Sequence, residues 1–443
     1  MNWKNVKNIS KLSYSVLGAV IIILSGAIFY YFLTFQNKYD GSSSEKVIYY
    51  ADNISPAHLK VIDRFNELYR GKIRVVCINL PFTKFSTNER KELFARYLRG
   101  ESDRIDIFSI DQIWITRFAR WCEPVDKYFR AEEIREIIPN AIKPCYYGHR
   151  LICLPMFIDQ SVMYCRMDLL QKLPLPKGFI EKLRSSITWE EFIETGRELR
   201  KYGYPVYIFQ ADNYEGLVCS FIELLLAQKD ESGLNCEISL NSPEAHRALT
   251  TLADLVNVHR ISPSVVTQLK ENNSYSYFIA NNGLFYRGWP NSGWDYKALA
   301  DDSGKIKHLV RFPLPHFSGH RYVSLTGGWN LMISKYSRNK KEAAEFIRYC
   351  LGKEAQKLMY NNGGFLPVNR TLYNNKAFVE KNNELQFYKG LFDKGIYRPG
   401  NKYYTKWSDI LSQYIKSAIN KDLSVDKALA GAEERLKYEF SSN

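Results

Sequence analysis

Residues 326–329 read Thr-Gly-Gly-Trp and run directly into the apolar segment NLMIS. Glycine leaves the backbone open to close approach by another group, and an indole offers a broad apolar face with one N–H donor. That pairing suits a bound ligand as well as a packed core. A second candidate is Asp111, which follows the apolar run IFSI and can either cap a helix or turn its carboxylate toward a ligand. Patterns for bond-breaking chemistry are missing: the seven histidines form no H-E-x-x-H pair, and neither G-x-S-x-G nor G-x-x-x-x-G-K-[ST] occurs. The eight cysteines show no C-x-x-C spacing, which argues against a zinc cluster. Two carboxylates at a fixed separation could hydrolyse a polysaccharide, but no segment resembles a glycosidase acid or nucleophile motif. The chain is therefore read as a non-enzyme that needs no cofactor.

These residues must be positioned by the elements around them. KVIYYA is strand-like, and SPAHLKVIDRFNELYRG follows with Ser55 as N-cap, Pro56 at the first helical position and Gly71 as a stop. IRVVCINL, NERKELFARYLRGE and IDIFSID then continue a β-α-β-α-β alternation. Such alternation predicts a parallel sheet with helices on its faces and ligands at the carboxyl ends of its strands, where Asp111 stands. A second unit begins near Arg150 with two strand-like runs and a helix start at Asp168. TWEEF has a capping box from Thr188 to Glu191, YPVYIFQ reads as a strand, and NSPEAHRALTTLADLVNVHR starts with Ser242 as N-cap and Pro243 behind it. NNGLFYRGWPNSGW is a strand followed by a turn rich in Gly, Pro, Asn and Trp. After NLMIS, a helical face at Ala344, Ile347, Leu351, Ala355 and Leu358 stops at the glycines of NNGG, and the C-terminal third is mostly helical.

At 443 residues the chain is too long for one ordinary core, which predicts two lobes. Lys4, Lys7 and Lys11 precede an uncharged run from Leu12 to Asn37. Its length suits a transmembrane helix with the N-terminus in the cytoplasm, and a cleaved export signal is the alternative. Either reading exports the body, and DGSSSE serves as a tether. Export permits disulfides, although most of the cysteines read as small buried hydrophobes, with room for one oxidised pair. The net charge is +14, of which +12 lies beyond residue 45. A basic exported body fits an anionic membrane surface or acidic ligands, and simple solubility is the plainer reading of the same charge. Nucleic acid fits poorly, since no binding motif is present.

Taken in order, HLKVIDRFNELYRGKIRVV, DIFSIDQIWITRFARWCEPVDKY, LPMFIDQSVMYCRMDLL, TWEEF, NSPEAHRAL, the segment from GGWNLMIS to FLPVN, and RPGNKYYTKWSDIL with DKALAGAEERL resemble the extracellular solute-binding proteins of ABC sugar importers, of the maltose- and multiple-sugar-binding type. The resemblance covers residues 46–440. It implies an α/β, two-lobed, type II periplasmic-binding-protein-like fold with hinge crossovers, here preceded by an N-terminal transmembrane helix. Residues 1–40 would form the cytoplasmic tip and the anchor or signal, 46–155 plus 318–368 the first lobe, and 156–317 plus 369–443 the second. The lobes would close over a sugar, whose apolar C–H faces need flat aromatics and whose hydroxyl rim needs planar polar groups.

The same resemblance implies the ligand-binding residues Asp111, Asp159, Trp289, Trp294, Gly328, Trp329 and Arg398. Phe157 would support Asp159, and Trp114 would belong to the core. Implied partners are a sugar or oligosaccharide, an ABC permease with its ATPase, and the membrane through the N-terminal helix; the body would be monomeric. A ligand-sensing subunit for a membrane kinase is an alternative use of the same binder, and a polysaccharide-active hydrolase is a further one. Three positions depart from the family. Ala27 in LSGA replaces the cysteine that lipoprotein members carry, which rules out lipidation there; Cys165 replaces a commonly aromatic residue, and Cys122 a glycine.

Overall fold

The computed structural model describes residues 45–81, 84, 87–229, 238–292, 303–400 and 402–441. The apolar run 12–37, Trp294 and Cys236 lie outside them. Among the described residues, no helix is long and apolar enough to cross a membrane.

Strands β1 (Lys46–Asp52), β2 (Ile73–Asn79) and β3 (Ile107–Asp111) are parallel, with β1 in the middle. Between them lie the helices Pro56–Leu68 and Thr87–Arg99, the first capped by the Ser55 hydroxyl, which accepts from the His58 N–H. Short strands β4 (Tyr146–Tyr147) and β5 (Arg150–Leu151) form a hairpin that leads into β6 (Leu154–Gln160). After Ser161 the chain passes into β7 (Val162–Arg166), which belongs to another sheet together with β8 (Tyr207–Ile208), β9 (Phe285–Gly288) and β10 (Leu309–Phe312). The order there is β10-β7-β9-β8. The chain then returns to the first sheet as β11 (Ser324–Ile333), and β12 (Gly395–Ile396) pairs parallel with its start. Two α/β lobes with separate sheets result, joined by crossovers.

β11 holds the first sheet together. It is antiparallel to β3 through 329–333 and to β6 through 326–331, with a bulge between Trp329 and Asn330. The crossovers are knotted at Ser161: its hydroxyl accepts from the Leu325 N–H at 2.8 Å, and its carbonyl accepts from the Ser324 hydroxyl at 2.9 Å. Residues 369–396, assigned to the second lobe from sequence, touch both sheets. The helix Glu384–Phe392 packs on β6 and β11, while Arg311 of β10 lies 6.0 Å over the Tyr388 ring. The helices Tyr404–Ile419 and Val425–Ser441 pack beside Glu215–Leu226 and Pro243–Asn257.

Local rules explain most of this. Thr188 accepts from the Glu191 N–H, Ser242 from the Ala245 N–H, and Gly71 and Gly203 take left-handed backbone just past the helix ends. YPVYIFQ departs from expectation, because only Tyr207 and Ile208 meet a partner strand. The seven described cysteines are free, and all but Cys77 are buried, so the oxidised pair that export allowed is not found among them.

Candidate functional site

β1 and β3 are parallel neighbours, and each ends in an aspartate, so Asp52 and Asp111 stand together at the carboxyl edge of the first sheet. Asp111 accepts from the Ile113 N–H at 3.3 Å, as an N-cap should. It also accepts from Arg398 Nη2 at 2.7 Å, so the cap does not use up the carboxylate. The other Arg398 terminal nitrogen, Nη1, donates to Glu215 Oε1 at 2.9 Å. Glu215 opens the helix Glu215–Leu226 beside the second sheet and is held there by the hydroxyls of Tyr404 and Ser408. A guanidinium with 4% side-chain exposure thus bridges carboxylates from the two lobes. Burial works against its charge, yet Asp111, Cys219 and Glu215 outweigh that and hold the Arg398 pKa above the ordinary arginine range.

Trp329 is the register partner of Asp111 on β3 and of Phe157 on β6. Its indole is half-buried, with the Arg90 guanidinium 4.6 Å over one face and Trp114 packed edge-on at 5.9 Å. The two glycines before it have separate reasons. Gly328 has φ +142°, and a Cβ there would sit 2.6 Å from the Phe157 carbonyl oxygen. Gly327 faces Asp159, its partner on β6; a Cβ there would lie 3.3 Å from Asp159 Cβ and 3.7 Å from the Trp289 ring. Trp289 follows β9 of the second sheet, with its carbonyl accepting from the Tyr164 hydroxyl and Arg287 stacked 4.3 Å over its ring. Arg287 is itself buried and pairs with Glu223.

The structure therefore brings Asp111, Asp159, Trp289, Gly328, Trp329 and Arg398 to one junction between the sheets. The predicted Trp294 lies outside the described residues. Trp114 is core at 1% exposure, and Phe157 packs on Phe365 at 4.5 Å.

Sequence reasoning missed several neighbours. Asp52 accepts from Arg90 Nη2 at 2.8 Å and from the Tyr50 hydroxyl at 2.6 Å, with His58 Nε2 at 3.5 Å. Burial raises its pKa, but His58, Arg90 and Tyr50 outweigh that and lower it to about 2. Its signal was available, because Asp52 ends a strand just as Asp111 does. Arg90 carried no signal, since it sits on a helix among other charges, and Glu215 reads as an ordinary acidic residue in the first turn of an apolar helix. Among the described residues no group of three or more His, Cys, Asp and Glu side chains could hold a metal ion. A hollow of about 610 Å³ lies elsewhere, between Pro174–Lys177 and the helix Trp189–Arg200. It belongs to the second lobe alone, and its lining includes the Lys182–Glu191 pair, which occupies both charges.

The family model described as bacterial extracellular solute-binding protein matches residues 54–357. A probable ABC transporter-binding protein of Deinococcus radiodurans is 28% identical over 366 residues, covering 79% of this chain and 83% of that one. Among solved structures, maltose-bound MalE3 of T. maritima is 26% identical with a TM-score of 0.78, covering 88% of this chain and 99% of its own. The GacH receptor of Streptomyces glaucescens, solved unliganded and with acarbose, is 19% identical with a TM-score of 0.74, covering 89% and 98%.

Proposed function

We propose that this chain, which belongs to the bacterial extracellular solute-binding protein family, is a carbohydrate receptor held at the outer face of the cell membrane by its N-terminal apolar helix. In this reading it binds a sugar or oligosaccharide between its lobes and passes it to an ABC permease. In this reading the lobes are residues 46–155 with 318–368, and 156–317 with 369–443, except that β6 carries 156–160 into the first sheet and the stretch 369–396 leans on both sheets. One observation carries the reading: Trp289 of the second lobe reaches Gly327 of the first, while Arg398 ties Asp111 to Glu215 across the same junction. Aromatic plates and planar polar groups contributed by both lobes are what a sugar's faces and hydroxyl rim require.

The mechanism follows from that arrangement. A ligand touching both lobes binds the closed form better than the open one, and it shifts the population toward closure by its difference in affinity. Asp111, Asp159 and Arg398 would take hydroxyls, and Trp289, Trp294 and Trp329 would take C–H faces. Gly328 lets β11 lie close against β6 so that Trp329 reaches the junction. The maltose and acarbose in the related structures support a carbohydrate ligand.

A thermal-shift screen of the protein against mono-, di- and oligosaccharides tests the proposal. Ligand at about 100 times its Kd adds about 2.7 kcal/mol, which raises Tm by about 3 °C for a chain of this size. A hit that is lost in Trp289→Ala supports the reading. Uniform failure across the screen, or turnover of a chromogenic glycoside that disappears on removal of one carboxylate, overturns it.

A further inference from the structure

The edge of the first sheet opposite the candidate site carries an unusual charge. Four chain segments meet there: 45–47 at the start of β1, 70–74 at the start of β2, 99–104 ahead of β3, and 335–341 after β11. Their contacts are direct. The Lys46 N–H donates to the Lys72 carbonyl at 2.8 Å, the Gly71 N–H to Glu45, and the Asn339 side chain to the Val47 carbonyl at 3.2 Å. Arg338 pairs with Asp103 at 3.1 Å, and the Tyr336 hydroxyl reaches Glu101. These segments hold ten basic side chains against three acidic ones, a net of +7 within 21 residues, whereas all of residues 45–443 carry +11. Lys46, Lys72, Lys335 and Lys341 are exposed.

The covalent geometry matters as much as the charge. Glu45 and Lys46 are where the body joins the N-terminal segment, and only seven residues, Lys38–Ser44, separate the apolar run from it. Fully extended, seven residues reach about 25 Å. If the apolar run is a membrane anchor, as proposed above, this basic edge cannot be farther than that from the bilayer. With this edge turned to the bilayer, β1 would lead away from it and place Asp52 and Asp111 about 20 Å farther out along the strands.

We infer that this basic edge is a membrane-facing surface that seats the anchored receptor on anionic lipid headgroups, with the candidate binding site turned away from the bilayer. The inference rests on the anchored reading for proximity and on the described charges for attraction. Basic side chains near an anionic leaflet are attracted individually, and the attraction falls off over a Debye length of about 8 Å at physiological salt.

The test uses the full chain in vesicles of phosphatidylcholine alone or with phosphatidylglycerol. A membrane-impermeant lysine-acylating reagent is applied, and modification is read by peptide mass spectrometry. Lys46, Lys72, Lys335 and Lys341 should react about fivefold more slowly on anionic than on neutral vesicles, and about 0.5 M salt should restore their rates. Exposed Lys201 and Lys421, on the other lobe, should not change. In the Lys72→Glu/Lys341→Glu variant, the protection of Lys46 and Lys335 should shrink. Equal rates on both vesicles, or slowing shared by all lysines, overturns the inference. Failure of the chain to float with neutral vesicles refutes the anchor separately. In that event, salt-sensitive flotation with anionic vesicles alone still supports the basic surface, and no flotation at all refutes it.

Discussion

Arg398→Met is the most informative single change, because it keeps the apolar stem and removes only the charge that bridges the lobes. The guanidinium donates to Asp111 at 2.7 Å and to Glu215 at 2.9 Å with 4% of the side chain exposed. Removing one partner from a buried ion pair costs about 3 to 5 kcal/mol. The carboxylates are 14% and 21% exposed, so water recovers part of that and the low end, about 3 kcal/mol, applies. For a chain of this size that is a Tm loss of about 3 to 4 °C at pH 7. Glu215→Gln in the same background should restore part of the stability, because it removes one of the two carboxylates left without its cation. Thermal melts followed by tryptophan fluorescence decide the matter. A deficit under about 1 kcal/mol, or no recovery in the double variant, would refute the bridging role.

Other positions give equally specific outcomes. Asp52, with its pKa lowered to about 2, contributes about 2 kcal/mol that is present above pH 4 and lost as pH falls toward 2; Asp52→Asn should flatten the acid limb of the stability curve measured by urea melts. Gly328→Ala forces a Cβ against the Phe157 carbonyl at a φ of +142° and should cost about 3 kcal/mol or more, whereas Gly327→Ala, pressing only on side chains, should cost about 1 kcal/mol in the same melts. Trp289→Ala should raise the Kd for any carbohydrate ligand roughly tenfold in calorimetry, with Trp289→Phe intermediate. An unchanged Kd in Trp289→Ala would remove that indole from the site.

Local pattern made the first sheet's parallel strands and most helix starts readable, because caps such as Ser55, Thr188 and Ser242 act within three residues of themselves. The same logic placed Asp111 at a strand end. What the pattern withheld depends on distance along the chain. Arg398 meets Asp111 across 287 residues and Glu215 across 183, and no periodicity carries information over such a span. Arg90 is hidden for a different reason: it lies on a helix with many exposed charges, and only the fold turns it inward over Trp329. The short β8 shows the converse error. YPVYIFQ has strand composition, but Gln210 turns its side chain to the Arg287 carbonyl and Ser274, and the ladder ends at Ile208. Resemblance supplied what spacing could not, namely that Asp159, Trp289 and Arg398 belong in one discussion with Trp329.

The glycines beside Trp329 bear on how binding and folding are linked. Gly328 is required by the β6 backbone, whose Phe157 carbonyl leaves no room for a side chain. Gly327 keeps the junction itself open, where Asp159 on β6 of the first sheet and Trp289 after β9 of the second meet over it. The close strand packing that bulges β11 after Trp329 is therefore the same packing that holds the indole in register with Asp111, and Asp111 in turn holds Arg398 and through it Glu215. Any motion that separates the two sheets about Ser161 must part Trp289 from Gly327 and stretch the guanidinium between its two carboxylates. A ligand seated among these groups would oppose that motion directly, so the energy of recognition and the energy of closure would be drawn from one set of contacts.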